Sequence, residues 1–71
     1  MATTFREANL IRAALKMKMS NYYWYNSSCV LFDQDDYCIV IHVKRLDNQV
    51  RKAIPPVFEG ISIRTEVDKS A

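Results

Sequence analysis

Hydrophobic and polar residues alternate along the chain with two different periods, and each period predicts one type of secondary structure. Near the start, apolar positions such as Ile11 and Leu15 recur at the three- and four-residue spacing of a helix with one apolar face. Thr4 and Glu7 are spaced as a capping box, in which the Thr hydroxyl accepts a hydrogen bond from a free amide of the first turn. The pattern therefore predicts a helix over residues 4–18.

A β-hairpin is predicted in the middle of the chain. From Tyr22 to Phe32 the sequence becomes rich in aromatic and β-branched residues, which favour strands. Residues 33–36 form a polar turn, and a second strand-like run extends from Tyr37 to Lys44. If Phe32 pairs with Tyr37 across this turn, the antiparallel register of the whole hairpin follows.

A short second helix and a last strand complete the pattern. Asp47 is a suitable N-cap for a helix over residues 47–54, which Pro55 must end. Residues 61–67 alternate strictly between apolar and polar side chains, as in a strand with one buried face. A strand that leads through a helix into a parallel strand makes a right-handed crossover. We therefore predict an α+β fold: a two-layer α-β-β-α-β sandwich with a three-stranded mixed sheet and both helices on one face.

Length and composition are those of a small globular domain. The 71 residues are 49% hydrophobic and 25% charged, so we expect one domain over residues 1–71, with a polar tail at 68–71. A domain of this size hides a modest share of its surface, which favours self-association. We expect neither a membrane span, which needs roughly 20 apolar residues, nor a secretory signal. A cytoplasmic protein with two reduced cysteines is expected.

The predicted hairpin register divides the strand residues between two faces of the sheet. One face matches the core that two helices would cover. Its members are Tyr22, Trp24, Val30, Phe32, Tyr37, Ile39, Ile41 and Val43. The other face stays apolar through its middle, although a solvated face would alternate in polar residues. Its members are Tyr23, Tyr25, Cys29, Leu31, Cys38, Val40 and His42.

An apolar outer face predicts an interaction surface. Large exposed apolar patches mark sites where proteins associate, so we expect a second copy of the chain, or another protein, to cover this one. The alternative is a first strand that is bulged or broken near Asn26, which would scatter the outer residues among loop contacts. A protein-interaction or assembly module, acting as a homo-oligomer, is the leading hypothesis.

Candidate chemistry on the outer face is limited by distance. Cys38 and His42 are four strand residues apart, roughly 13 Å, whereas zinc ligands lie about 2 Å from the metal. Even with Cys29 on the same face, we expect no metal site and no cofactor. Ser27 can oppose His42, but no acid or oxyanion donor accompanies the pair, so no catalytic residue is assigned. A site shared between subunits, with Cys38 and His42 from each, stays open.

An aromatic segment beside basic residues supports an alternative function. Tyr23 and Tyr25 could stack on bases, while Lys16, Lys18 and Lys44 could neutralise phosphates. The net charge of +2 is far below that of a protein that follows a phosphate backbone. The single Gly also excludes glycine-rich phosphate-binding loops. Binding of single-stranded nucleic acid is therefore the alternative hypothesis, and it is weakly supported.

The C-terminal half combines a helix, an Ile-Pro pair, a Gly and an alternating strand. The segment Ile54-Pro55-Pro56, Gly60 and residues 61–67 carry these features. Together with the strand before them, residues 37–67 resemble part of the small αββαβ modules that precede trypsin-like peptidase domains in some bacterial proteins. The resemblance implies a topology. It implies nothing enzymatic, because no catalytic position is matched.

Overall fold

The computed structural model describes residues 4–34 and 36–68. Its elements are α1 (Phe5–Met19), β1 (Tyr25–Asp33), β2 (Asp36–Val43), α2 (Asn48–Ala53), β3 (Val57–Phe58) and β4 (Ile61–Val67). In this part of the chain the four strands form one mixed sheet, in the order β1-β2-β4-β3. The β2 and β4 strands are parallel, and the other two neighbouring pairs are antiparallel. The predicted α+β class and mixed sheet are confirmed, while the predicted number of three strands is wrong.

Helix α1 starts and ends as its sequence predicts, within one residue. The backbone N–H of Glu7 donates to the hydroxyl of Thr4 at 3.2 Å, and that hydroxyl donates to the Glu7 carboxylate. At the other end, the backbone N–H of Ser20 donates to the carbonyl of Lys16. Leu15 lies on the buried face, where its side chain joins the core. The cap and the apolar stripe together explain why these residues are helical.

The additional strand β3 lies between the end of α2 and β4. Val57 pairs with Ser62 and Phe58 with Ile61, around a tight turn that contains Gly60. Gly60 has a φ of 81°, in the left-handed region that glycine adopts without strain. The predicted turn at Gly60 is therefore confirmed. A strand of two residues is too short to produce an alternating pattern, and this is why the sequence did not predict it.

The predicted hairpin register is confirmed. Phe32 pairs with Tyr37, and the pairs Leu31–Cys38, Val30–Ile39 and Cys29–Val40 follow in step. The strand β1 begins at Tyr25, whereas the composition predicted Tyr22. Of the predicted acidic turn, Asp33 and Asp36 pair with each other at the ends of the strands, and Asp35 lies outside the described residues.

A β-bulge interrupts β1 at Asn26. Tyr25 pairs with Val43, and the next pair in the ladder joins Ser27 to His42, so that Asn26 is an extra residue on its strand. Side chains of a regular strand alternate between the two faces of the sheet. In β1 the inserted residue turns Tyr25 to the face opposite the one that unbroken alternation gives it. The bulge that the sequence offered as an alternative is therefore present, whereas the scattering of the outer residues expected with it is not: Cys29, Leu31, Cys38, Val40 and His42 share one face.

Because of the bulge, the predicted outer position of Tyr25 is wrong. Tyr25 lies on the same side as the helices, is half-buried against the core, and has its hydroxyl 2.9 Å from Oγ of Ser28. Tyr23 precedes β1 altogether and is exposed. Neither tyrosine therefore shares the face of Cys29.

The core lies between the helices and one face of the sheet. Ile39, Ile41 and Val43 alternate along β2 and are fully buried. Side chains of both helices join them in one cluster. Its other members are Ala8, Leu15, Met19, Trp24, Val50, Ile54 and Ile61. Of the residues expected on this face, Phe32 pairs with Tyr37 and contacts its ring, but it is exposed. Tyr22 precedes β1 and is also exposed, while its ring stacks on the buried Trp24.

Asp68, the last described residue, is hydrogen-bonded to both strands of the hairpin. The backbone N–H of Asp68 donates to the carbonyl of Val43 at 2.8 Å, and its carboxylate accepts a hydrogen bond from Asn26. Of the predicted polar tail, only Asp68 belongs to the described residues. Neither helix in the described part of the chain has the length and apolar character that a membrane crossing requires.

Candidate interaction surface

Among residues 4–34 and 36–68, no helix packs on one of the two faces of β2. Because Ile39, Ile41 and Val43 face the helices, the residues between them point to the opposite side, together with their neighbours on β1. We call this group the outer patch. Its members are Cys29, Leu31, Cys38, Val40 and His42. They are five of the seven residues that the sequence predicted for an interface, and Tyr23 and Tyr25 are the two that the structure separates from them.

Burial within the outer patch is uneven. Val40 and Cys38 are only 4% and 5% exposed, although no helix covers them. In the sheet, Val40 has Cys29 on one side and Arg64 on the other, so neighbouring side chains shield it. Leu31 is 44% exposed, and Cys29 is exposed as well. The accessible part of the outer patch therefore lies toward β1.

A thiol and an imidazole are in contact on this face. Sγ of Cys29 lies 3.7 Å from Nε2 of His42, and both cysteines are free thiols. The sequence placed Cys29 and His42 on one face without predicting their contact, and it kept Cys38 with His42 only for a site shared between subunits. The predicted position of Ser27 opposite His42 is confirmed. No group of three His, Cys, Asp or Glu side chains is arranged to hold a metal ion among the residues that the structure describes.

An ion pair lies beside the outer patch. Arg64 of β4 contacts the carboxylate of Asp33 of β1, so its side chain reaches across β2. The hydrogen bond to Asp33, and then the charge of Asp33, raise the pKa of Arg64 above its ordinary value. Solvent screens an exposed pair of this kind, so it contributes little to stability. The sequence did not predict this pair, because it depends on which strands flank β2.

The outer patch continues onto a free sheet edge. Within the described chain, β1 has a strand partner on one side only and is nine residues long. Leu31 on the outer face and Phe32 on the helix side are both exposed, and the one charged residue of the strand is Asp33 at its end. The opposite edge is β3, which has two residues. Proteins usually protect an edge by shortening it, by placing charges on it or by a bulge; here β3 is short, and the bulge at Asn26 leaves residues 27–33 of β1 as its unprotected part.

The aromatic segment before β1 contacts other parts of the chain. Trp24 is buried, and Tyr22 stacks on it with ring centroids 4.7 Å apart. The guanidinium of Arg45 lies 5.0 Å from the ring centroid of Tyr23 and also contacts its hydroxyl. Tyr23 is the most exposed of the four consecutive aromatic residues. The guanidinium of Arg45 already lies over its ring.

The lysines of the nucleic-acid hypothesis do not form one strip with these aromatic rings. Lys18 is close to a different ring, since its Nζ lies 5.1 Å from the centroid of Phe58. Lys16 is on α1 and Lys44 follows β2, and both are exposed. Tyr25 contributes its hydroxyl to a contact with Ser28 on the helix side. The predicted set is thus distributed over α1, β1, the segment before β1 and the segment after β2.

Comparison with known proteins adds no family to these observations. No protein-family model, curated protein or solved structure matches the chain significantly. The similarity of residues 37–67 to modules that precede trypsin-like peptidase domains stays a prediction about topology. The functional argument therefore rests on the outer patch and on the edge strand beside it.

Proposed function

We propose that this protein is a small interaction module that assembles with a second copy of itself through the outer patch and the free edge of β1. The observation that supports the proposal best is the character of β1. Beyond the bulge at Asn26 it is an edge strand over residues 27–33, and it exposes the apolar side chains of Leu31 and Phe32, one on each face. Such an edge offers unpaired N–H and C=O groups as a template for another strand.

Pairing of β1 with β1 of a second copy satisfies those backbone groups. An antiparallel arrangement about a two-fold axis brings the same strand from both copies together, which is the symmetry of most homodimers. Residues 27–33, the regular part of the strand beyond the bulge, provide an edge of about 23 Å. Leu31 and Cys29 of each copy then gain neighbours from the partner strand on the same face, as Val40 has on β2, and lose part of their solvent exposure.

The proposal includes no catalytic activity and no cofactor. Cys29 and His42 are in contact, but a nucleophile also needs an oriented base and donors that stabilise the developing charge. The proposal does include a reducing, cytoplasmic environment, because an exposed thiol such as Cys29 would not stay reduced outside one. If the wild type is monomeric, binding of a different protein to the same surface is the alternative outcome.

Sedimentation velocity over a range of protein concentrations tests this proposal. We expect the wild type to self-associate at micromolar concentration and Leu31→Lys to remain monomeric, because a lysine on the edge strand opposes strand pairing. Leu10→Lys is the matched control: Leu10 is 64% exposed on α1, away from the sheet edge. Circular dichroism should show that both variants fold.

Four results would overturn it. A wild type that stays monomeric at high micromolar concentration contradicts self-assembly outright. Equal association of wild type and Leu31→Lys assigns the contact to another surface. Loss of association in Leu10→Lys alone assigns it to α1. If the monomeric wild type instead binds a different protein and Leu31→Lys does not, the surface is correct but its occupant is not a second copy.

A further inference from the structure

A second surface lies on the helix side of the sheet, opposite the outer patch. The C-terminal parts of α1 and α2, together with β3, border an open groove of about 350 Å³. Apolar side chains line most of it, among them Leu15, Tyr22, Pro55 and Phe58. Leu15 is buried, and Phe58 is half-buried against the core. The apolar lining is thus held in place by the packing of the domain.

Two lysines supply the charge of the groove. Lys18 from the last turn of α1 and Lys52 from the last turn of α2 are the charged residues of its lining. A cation in the last turn of a helix interacts favourably with the partial negative charge of the helix C-terminus. Nζ of Lys18 lies 5.1 Å from the ring centroid of Phe58, so this ammonium group lies over the apolar lining.

Neither lysine is neutralised within the described chain. The salt bridges of residues 4–34 and 36–68 join Arg45 to Asp47 and Arg64 to Asp33. No carboxylate belongs to the lining of the groove. An apolar surface with two unpaired ammonium groups complements a ligand that has an apolar part beside negative charge.

We propose that this groove binds an acidic peptide segment of a partner protein, with one apolar or aromatic side chain inserted between Lys18 and Lys52 and carboxylates next to it. The open shape favours a peptide over a free small molecule. Sites for small molecules bury most of the ligand surface, and a groove that is open to solvent on one side does not. A peptide needs to bury only its anchor side chain, while its backbone and carboxylates stay at the rim.

This binding site is independent of self-assembly. The groove is formed by the helices and β3, whereas the outer patch and the edge of β1 are on the other side of the sheet or at its far end. A variant of Lys18 or Lys52 therefore leaves the proposed dimer contact intact. Failure of either proposal has no effect on the other.

The probe for the test is the synthetic peptide Glu-Asp-Leu-Phe-Asp-Glu, which contains no Trp or Tyr. Tyr22 lines the groove and stacks on Trp24, which is the one Trp of the chain, so Trp24 fluorescence reports occupancy. We expect a saturable change on titration. Two further peptides serve as ligand controls: one with Gly in place of Leu and Phe, and one with Lys in place of the acids.

Charge reversal on the protein gives the second comparison. The double variant Lys18→Glu with Lys52→Glu should weaken binding by at least about tenfold, because two attractive contacts become repulsive. Lys44→Glu changes one exposed lysine outside the groove and should leave affinity within about twofold. Since all three lysines are exposed, the variants should fold, which circular dichroism checks.

Each other result overturns the proposal. A titration without saturation shows that the groove does not bind such a peptide. Equal binding of the Gly peptide, or an equal loss in Lys44→Glu, shows attraction by net charge alone. Equal binding of the Lys-containing peptide removes the role of the two ammonium groups. Unchanged affinity in the double variant assigns any binding to a different part of the surface.

Discussion

Cys29 contacts His42 diagonally across the hairpin, with Sγ 3.7 Å from Nε2, while the residue directly opposite Cys29 in the ladder is Val40. His42 pairs with Ser27, and Cys29 pairs with Val40. The thiol and the imidazole therefore belong to two adjacent pairs on the same face, which makes their contact diagonal. Cys38, the other cysteine of that face, is directly opposite Leu31 and is buried. The two thiols therefore have different surroundings although they share one face.

Alkylation should distinguish the two cysteines. Under native conditions we expect iodoacetamide to modify Cys29 rapidly and Cys38 only after unfolding, because Cys29 is exposed and Cys38 is not. Mass spectrometry with peptide mapping measures both rates. Non-reducing denaturing conditions should yield two alkylated thiols. A stoichiometric Cys29–Cys38 disulfide would contradict this prediction. If β1 pairs between copies, the alkylation of Cys29 should also slow as the protein concentration rises.

Val40→Lys should destabilise the monomer. Val40 is shielded by its neighbours on both sides, so a lysine there would bury an unpaired charge and lower the free energy of unfolding by about 2–4 kcal/mol. Val57→Lys is the control, since Val57 is exposed on β3, and we expect a change within about 0.5 kcal/mol. Urea denaturation measures both. Equal stability of the two variants would show that the middle of the outer patch is open to solvent.

Deletion of Asn26 should be more harmful than its replacement. Removing the extra residue restores regular alternation, so that Tyr25 would turn away from the helix side and lose its packing. We expect a loss of about 2 kcal/mol or more. Asn26→Ala keeps the bulge and removes only the exposed contact with Asp68, and should cost about 1 kcal/mol or less. Thermal unfolding measures the difference. A deletion variant as stable as the wild type would mean that the bulge has no structural role.

We expect no specific complex with single-stranded oligonucleotides at physiological salt. Trp24 is buried, Tyr22 stacks on it, and the ring of Tyr23 already contacts Arg45. A net charge of +2 allows only weak attraction that salt removes. Titration of a labelled oligonucleotide at low and physiological ionic strength tests this. Submicromolar binding that Tyr23→Ala abolishes, but Tyr25→Ala does not, would favour the nucleic-acid function instead.

The sequence predicts most of the hairpin because two independent signals agree there. The polar turn at residues 33–36 makes Phe32 and Tyr37 the residues that flank it. The alternation of apolar residues on both strands agrees with the register in which these two residues pair. The bulge near Asn26 is predicted only as an alternative, because the segment before it, from Tyr22 to Tyr25, consists of four consecutive aromatic residues. Such a run favours a strand without any period, so nothing in it indicates which side chains face the core.

The burial of the outer patch could not be predicted for a different reason. Val40 is shielded because β2 is an inner strand, with β1 on one side and β4 on the other. Strand order is a property of the folded sheet, and no local pattern in residues 37–44 specifies it. The groove beside Lys18 and Lys52 is likewise formed where α1 meets the consecutive elements α2 and β3, which are far from α1 in the sequence. Long-range geometry decides both features.

The short length of β3 limits how far an assembly of this chain can grow. A strand of two residues offers too few backbone groups to recruit another strand, so the sheet can be extended at β1 alone. A building block with one extendable edge is monovalent. Once β1 of one copy has paired with β1 of another, no extendable edge is left in either. Assembly then stops at the dimer, because no free edge remains at which further strands could add to form a fibril.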